Sequence, residues 1–386
     1  MRITDNILYV GVDDLTIDLF ESQYIVPCGV SYNSYVIMDE KIAVMDTVDA
    51  RKTSEWLLNV GDALSGREPD YLIVSHMEPD HAGSIKAFSE KYPSAKIVAT
   101  QKAITMMGEF FEAIPLAAKS VAVKEGEELE LGRHTLVFYM APMVHWPEVM
   151  VTYEKSTQTL FSADAFGKFG ALSCDEDWAC EARRYYINIV GKYGANVQAL
   201  LKKLSGLSVN TICPLHGPIL TENLGYYIEK YDIWSSYRPE DDGVLIAFAS
   251  IHGNTARAAR RAAEYCEMYG AKKVVLCDLA RCDMAEAVED AFRYDKLILA
   301  SATYDGELFT PMETFLTTLK KKNFQKRRIA LIENGSWGPT AAGKMVSKLS
   351  EMKNITVCEK TLTIKSAMKS AQENDLEELV KELLSI

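Results

Sequence analysis

From residue 244 to the end, the chain repeats one pattern five times: a short apolar run rich in Val, Ile and Leu, followed by an amphipathic stretch with helical spacing. Strands are read at 244–250, 273–279, 296–303, 327–334 and 355–364, with helices at about 256–269, 284–293, 311–322, 340–352 and 373–385. Five strands alternating with five helices, joined by right-handed crossovers, leave few options beyond an open parallel sheet covered by helices on both faces. Such doubly wound sheets take their ligands at the carboxyl ends of the strands.

The first 240 residues are less regular. The stretch SYNSYVIMDEKIAVMDTV reads as a hairpin turning at Asp39, Glu40 and Lys41, and further strands are read at 72–75, 97–99, 135–140, 149–153, 159–162 and 209–213. Helical patterns fall at 51–64, 82–91, 101–112, 177–204 and 221–231. This mixture suits an α/β sandwich with helices outside two packed sheets. Of the 54 acidic and 42 basic residues, 21 of each lie from Asp241 onward, so the whole net charge of −12 belongs to the earlier part. The charge step coincides with the link RPEDDG, and domains are expected at 1–240 and 241–386.

The acidic balance argues against general affinity for nucleic acid. No apolar run approaches a membrane span and the N-terminus lacks the order of a signal peptide, so a cytoplasmic location is expected. The eight cysteines (Cys28, Cys174, Cys180, Cys213, Cys266, Cys277, Cys282 and Cys358) include no C-x-x-C pair and read as reduced thiols.

Chemistry concentrates where strands of the first part end. LIVSHMEPDHAGS places His76, Glu78, Asp80 and His81 after one strand, APMVHWPE supplies His145, TLFSADAFG supplies Asp164, and VNTICPLHGPI supplies His216. Four strand ends thus deliver four of the chain's six histidines and three carboxylates. His76, Glu78 and His145 can make one two-histidine, one-carboxylate set and Asp80, His81 and His216 a second, leaving Asp164 to bridge two metals. That facial pattern, with Glu78 as an additional hard oxygen donor, favours non-haem iron. The alternative is a dinuclear zinc hydrolase, whose chemistry also uses His and Asp. His134 reads as a turn or strand residue, and Trp146 as either a pocket wall or a core residue.

In the second part, ASIHGNTARAA follows the first strand, so that Ser250, Ile251, His252, Gly253, Asn254 and Thr255 form a loop leading into a helix N-terminus, a cradle suited to phosphate. Thr303, Tyr304, Asp305 and Gly306 follow the third strand, and Gly335, Ser336, Trp337 and Gly338 the fourth. Aromatic residues beside glycines can cover a planar ring while backbone groups read its edge. One phosphate loop without a second acidic ribose fingerprint favours FMN over a dinucleotide.

Together these residues carry a resemblance. The pattern H-x-[EH]-x-D-H followed by distant His, Asp and His resembles the metallo-β-lactamase fold, and the variant HMEPDH is similar to that of the flavodiiron proteins; every ligand position of that pattern is filled here. The resemblance covers essentially the whole chain. It implies an N-terminal metallo-β-lactamase-like αββα sandwich holding two iron ions and a C-terminal flavodoxin-like five-stranded parallel sheet holding FMN. It implies an oxidoreductase that reduces dioxygen to water, nitric oxide to nitrous oxide, or both, with electrons relayed through FMN from a rubredoxin-type or other reduced donor. It further implies a head-to-tail homodimer or a dimer of dimers.

Overall fold

The computed structural model describes residues 1–112 and 114–385. The chain divides into two compact units, one built from Met1–Tyr186 with Ala195–Asp232 and the other from Ile187–Gly194 with Ile233–Ile386.

In the first unit two sheets face each other. One has the strand order Ile7–Tyr9, Tyr35–Ile37, Ala43–Met45, Tyr71–Val74, Lys96–Thr100 and Ser120–Val123. The other runs Glu128–Glu130, Thr135–Met140, Met150–Glu154, Thr159–Phe161 and Thr211–Cys213. Side chains from both inner faces share one core: Tyr35, Ile37, Met45, Ile73 and Val98 from the first sheet, Leu136, Phe138, Met150, Phe161 and Cys213 from the second. Each such large apolar side chain contributes roughly 1.5–3 kcal/mol on burial. Outside, helix Thr53–Leu64 turns Trp56, Val60 and Leu64 inward, and Trp56 lies 5.9 Å from Phe88 of helix Ile85–Lys91. The αββα sandwich is therefore present.

In the second unit five parallel strands take the order Val274–Asp278, Asp241–Ala249, Tyr294–Tyr304, Gln325–Asn334 and Lys353–Ile364, with Glu307–Leu308 added antiparallel at one end. Numbered along the chain this is 2-1-3-4-5, the flavodoxin-like order. The chain moves one way from the first strand to the second and the other way to the third, which opens a crevice at the carboxyl ends of the first and third strands. Alanines 258, 259 and 262 of helix Asn254–Met268 are buried against Val244, Ile246 and Phe248. Their small side chains let that helix lie close to the sheet and bring its N-terminus to the crevice.

One expected element differs. The helical pattern over 177–204 is broken into Trp178–Tyr185, a wider π-type turn at Tyr186–Val190, a tight turn at Gly191–Tyr193 and Gly194–Leu204. The Tyr237 hydroxyl donates to the Gly191 carbonyl at 2.9 Å and accepts from the Gly194 N–H at 3.1 Å, taking over backbone groups that a continuous helix would pair internally. A Cβ on Gly194 would lie 2.2 Å from the Ser235 carbonyl oxygen, so only glycine allows this approach.

The expected hairpin is formed by Tyr35–Ile37 and Ala43–Met45, and its turn is held by Asp39. The backbone N–H of His134 donates to Asp39 Oδ2 at 2.7 Å, its ring Nδ1 lies 2.8 Å from the same oxygen, and Glu40 N–H donates to Oδ1 at 2.8 Å. Burial alone would raise the Asp39 pKa, but these bonds outweigh it and hold the carboxyl below its ordinary range. A depressed folded-state pKa contributes stability that is present above the unfolded value near ~3.9 and is lost as pH falls through the folded value. Asp39→Ala is expected to cost about 1–3 kcal/mol at pH 7 and much less at pH ~3. Urea unfolding of both proteins at the two pH values checks this, and equal stability at pH 7 would refute it.

Candidate metal centre and ligand cleft

The loop after strand Tyr71–Val74 is shaped by Pro79, the first residue of a single helical turn, Pro79–Ala82, with Glu78 at its N-cap. The N–H groups of His81 and Ala82 donate to the Glu78 carbonyl at 2.9 and 2.8 Å, which pins the backbone and leaves the Glu78 side chain free. The Thr47 hydroxyl donates to the His81 carbonyl at 2.5 Å, and Ser75 N–H donates to the buried Asp46 carboxylate at 2.6 Å. The loop is thus fastened at both ends by neighbouring backbone.

All seven expected donors come together, in two groups. In the first, His145 Nε2 lies 3.0 Å from Glu78 Oε2 and 3.1 Å from Asp164 Oδ2, while His76 Nε2 lies 3.3 Å from each of the same two oxygens. In the second, His81 Nε2 and His216 Nε2 are 3.0 Å apart and lie 3.4 and 3.3 Å from Asp80 Oδ2. Within each group the donor atoms lie within 4.8 Å of one another. Asp164 touches both: its Oδ2 faces the first group and its Oδ1 lies 3.2 Å from His81 Nε2.

The outer nitrogens set the tautomers. His76 Nδ1 lies 2.9 Å from Glu148 Oε1 and His216 Nδ1 lies 2.7 Å from the Ser31 carbonyl oxygen. A carbonyl oxygen only accepts, so Nδ1 of His216 carries the proton and its Nε2 presents a lone pair inward; the carboxylate does the same for His76. Glu148 is itself buried and also accepts the Met77 N–H at 2.9 Å. No local motif marks either partner in the sequence, although Glu148 lies only three residues after His145.

The electrostatics suit a cation. Burial opposes charge on Asp164, yet the imidazoles, His76 foremost, hold its carboxyl well below the usual range. Burial likewise opposes the histidines, but Asp164 and Glu78 push His145 up to about 9 and, with Glu148, raise His76 well above its ordinary value. Both sets of shifts have one cause, buried carboxylates and imidazoles crowded against each other. Both oxygens of Asp164 and of Asp80 nevertheless lack an aligned hydrogen-bond donor, as does His81 Nδ1. Oxygens and ring nitrogens converge on common points instead of on each other, which is the geometry of ligands around a cation. Histidine and carboxylate donors, with no thiolate, suit iron or zinc.

Trp146 packs roughly perpendicular to His76, with ring centroids 5.3 Å apart, and does not line the cavity beside the centre. A cavity of about 320 Å³, lined by Leu19, Phe20, Glu21, Tyr32, Arg51, Glu78 and Asp80, leads to this side of the centre. His134, bonded to Asp39, takes no part.

In the second unit a cleft of about 630 Å³ opens at the carboxyl ends of the strands. It is lined by Ser250, Ile251, His252, Asn254, Thr255, Thr303, Tyr304, Asp305, Gly306, Gly335, Ser336, Trp337 and Gly338, thirteen of the fourteen residues expected there. Gly253 lies within the loop without lining the cleft; its φ of +86° makes the turn into helix Asn254–Met268, whose first N–H groups have no side-chain cap. Ser250 Oγ accepts the Gly253 N–H at 3.1 Å and holds the loop's shape. Uncapped N–H groups at a helix N-terminus are an anion site. Ala302, Asn334 and Ser366 also line the cleft and were not anticipated. Thr303 has a structural duty as well, accepting the N–H groups of Thr340 and Ala341 at 3.0 and 3.2 Å. Trp337 is 94% exposed and Tyr304 51%, so the aromatic rim stands open to solvent.

Residues 30–217 match the family described as ODP family beta lactamase. The chain is 28% identical over 366 residues to the anaerobic nitric oxide reductase flavorubredoxin of Vibrio vulnificus, covering 91% of this chain and 73% of that one. Its fold superposes on rubredoxin oxygen:oxidoreductase from Desulfovibrio gigas with a TM-score of 0.92 and 25% identity, over 99% of this chain and 97% of the other. The flavodiiron protein from Giardia intestinalis, 23% identical, shares the fold with a TM-score of 0.93 over 99% and 95% of the two chains. With both units of that fold present and every expected metal donor converging in the first, this chain is similar to the flavodiiron proteins along nearly its whole length.

Proposed function

We propose that this chain is an oxidoreductase that reduces dioxygen to water, nitric oxide to nitrous oxide, or both, using a pair of iron ions and FMN. The observation that carries this reading is Asp164, which turns one carboxylate oxygen to each of two adjacent donor groups. His76, Glu78 and His145 would hold one iron and Asp80, His81 and His216 the other, with Asp164 placed to be shared between them. Iron and flavin, when bound, supply the one- and two-electron chemistry that no side chain can perform. The protein's own residues do the rest: Glu148 and Ser31 keep two imidazoles in the ligating tautomer, and Phe20, Leu19 and Tyr32 line the cavity by which a small substrate reaches the centre.

Residues 1–240 act as the diiron domain and 241–386 as the FMN domain. The 250–255 loop takes the phosphate and the 303–306 and 335–338 loops take the ring. A rubredoxin-type protein or another reduced carrier is the donor, in keeping with the names of the relatives. The open rim at Trp337 and Tyr304 supports a working head-to-tail homodimer or dimer of dimers that covers it. Among the described residues no helix is long and apolar enough to cross a membrane, which accords with a cytoplasmic enzyme.

The direct test is anaerobic consumption of each gas by protein carrying FMN and about two irons per chain, reduced through a rubredoxin-type donor. Fully loaded, fully reduced protein that consumes neither gas would overturn the reading. Asp164→Asn is expected to lower gas reduction at least ~10-fold with FMN content unchanged; normal turnover of the iron-loaded variant would remove the bridging role. Glu148→Gln, which keeps the shape but loses the charge, should weaken iron affinity by about 10–100-fold in competition with a chelator. Thr255→Ala and Gly253→Val should both loosen FMN, the valine more, because φ of +86° is strained for a β-branched residue. Fluorescence titration with FMN checks this, and equal affinity in all three proteins would move the cradle elsewhere.

A further inference from the structure

We infer that Cys277 and Cys282 form a reversible dithiol–disulfide pair in the second unit, oxidised by low-molecular-weight disulfides. The two sulfurs lie 3.0 Å apart, closer than thiols that merely pack together. They are held there by backbone, not by chance rotamers. Cys277 belongs to strand Val274–Asp278, paired in register with Ala247 of the neighbouring strand. The chain then folds back on itself: Leu279 N–H donates to the Phe248 carbonyl at 2.9 Å, and the N–H groups of Arg281 and Cys282 both donate to the Asp278 carbonyl at 2.9 Å. Asp283 closes the loop by capping helix Met284–Arg293 through the Ala285 N–H at 2.9 Å. The ordering that brings two thiols together is thus already complete in the reduced protein.

The two sulfurs are not equivalent. Cys277 is buried, 8% exposed, whereas Cys282 is half-buried and reachable. The Cys277 thiol donates to Cys282 Sγ, which lowers the Cys282 pKa against the opposing effect of burial and raises that of Cys277. Cys282 is therefore the attacking thiolate. It displaces one thiolate from the added disulfide and forms a mixed disulfide. Cys277 then loses its proton to solvent and attacks Cys282 Sγ, breaking the bond to the small thiol, which leaves. Two protein thiols have lost two electrons and two protons, and the added disulfide has become two thiols. The closed loop is short, so the chain-entropy gain is small and the bond stays reversible. Of the other cysteines, Cys213, Cys266 and Cys358 are buried, while the half-buried Cys28 and Cys174 neighbour each other in the first unit, Cys174 Sγ lying 3.5 Å from the Cys28 carbonyl oxygen.

The test equilibrates the whole holoprotein in glutathione buffers of graded oxidised-to-reduced ratio, blocks free thiols with iodoacetamide, and maps the tryptic peptides by mass spectrometry. Trypsin cuts after Arg281, so the bond would join two separate peptides, 274–281 and 282–293. The expected result is a joined species that rises with the oxidised fraction, exceeds the glutathione adduct of Cys282 at least ~10-fold because a tethered thiol outcompetes a free one, and disappears with dithiothreitol. In Cys277→Ser, Cys282 should stop at the adduct. Full alkylation of both cysteines across all buffers, an adduct alone in the unaltered protein, or oxidation spread evenly over all eight cysteines would overturn the inference.

Discussion

A fully buried carboxylate with imidazoles on two sides organises the first unit. Asp164 has no access to water, and three imidazole Nε2 atoms stand within 3.3 Å of its two oxygens. Stripping a carboxylate of water costs several kcal/mol unless compensating charge is supplied nearby. The imidazoles push its carboxyl down, while it helps to push His76 and His145 up. Two divalent ions would do the same work with better geometry, because the unpaired oxygens of Asp164 and Asp80 already aim at common points.

That arrangement has to be held by the scaffold, since carboxylates and ring lone pairs crowded within a few ångström repel one another. Four strand ends of the sandwich bring the donors in, and the backbone between them is fastened before any ligand acts. The Pro79–Ala82 turn, the bond from Thr47 to His81 and that from Ser75 to Asp46 position one loop; Glu148 and Ser31 orient two rings. These polar contacts lie in or beside a dry core, where a hydrogen bond left unmade is expensive. The donor set is accordingly rigid.

The second unit solves a different problem. A flavin presents a phosphate and a flat ring, and the switch point of a 2-1-3-4-5 sheet offers both a helix N-terminus and two further loops at one edge. Close packing of alanines on the first helix brings its uncapped N–H groups to the crevice. Thr303 shows how one residue can serve the wall of a cleft and the start of a helix remote in sequence, Ala341–Leu349, at once.

The sequence by itself determined the two architectures and most of the chemistry. Periodicity is a local property, so alternation after residue 244 was enough to specify a parallel sheet, and residues at strand ends were bound to meet at an edge. The order and types of His76, Glu78, Asp80, His81, His145, Asp164 and His216 were likewise written in short motifs. Only the tertiary structure decided which oxygen of Asp164 faces which group, that Glu148 and Ser31 serve the histidines, and that Tyr237 breaks a helix at Gly191 and Gly194 that its own pattern would have continued. It also decided that Cys277 and Cys282, too far apart for a recognisable thiol motif, touch across a folded-back loop. Each of these depends on distances between segments remote in sequence or on the path of a backbone turn, and hydrophobic periodicity carries no information about either.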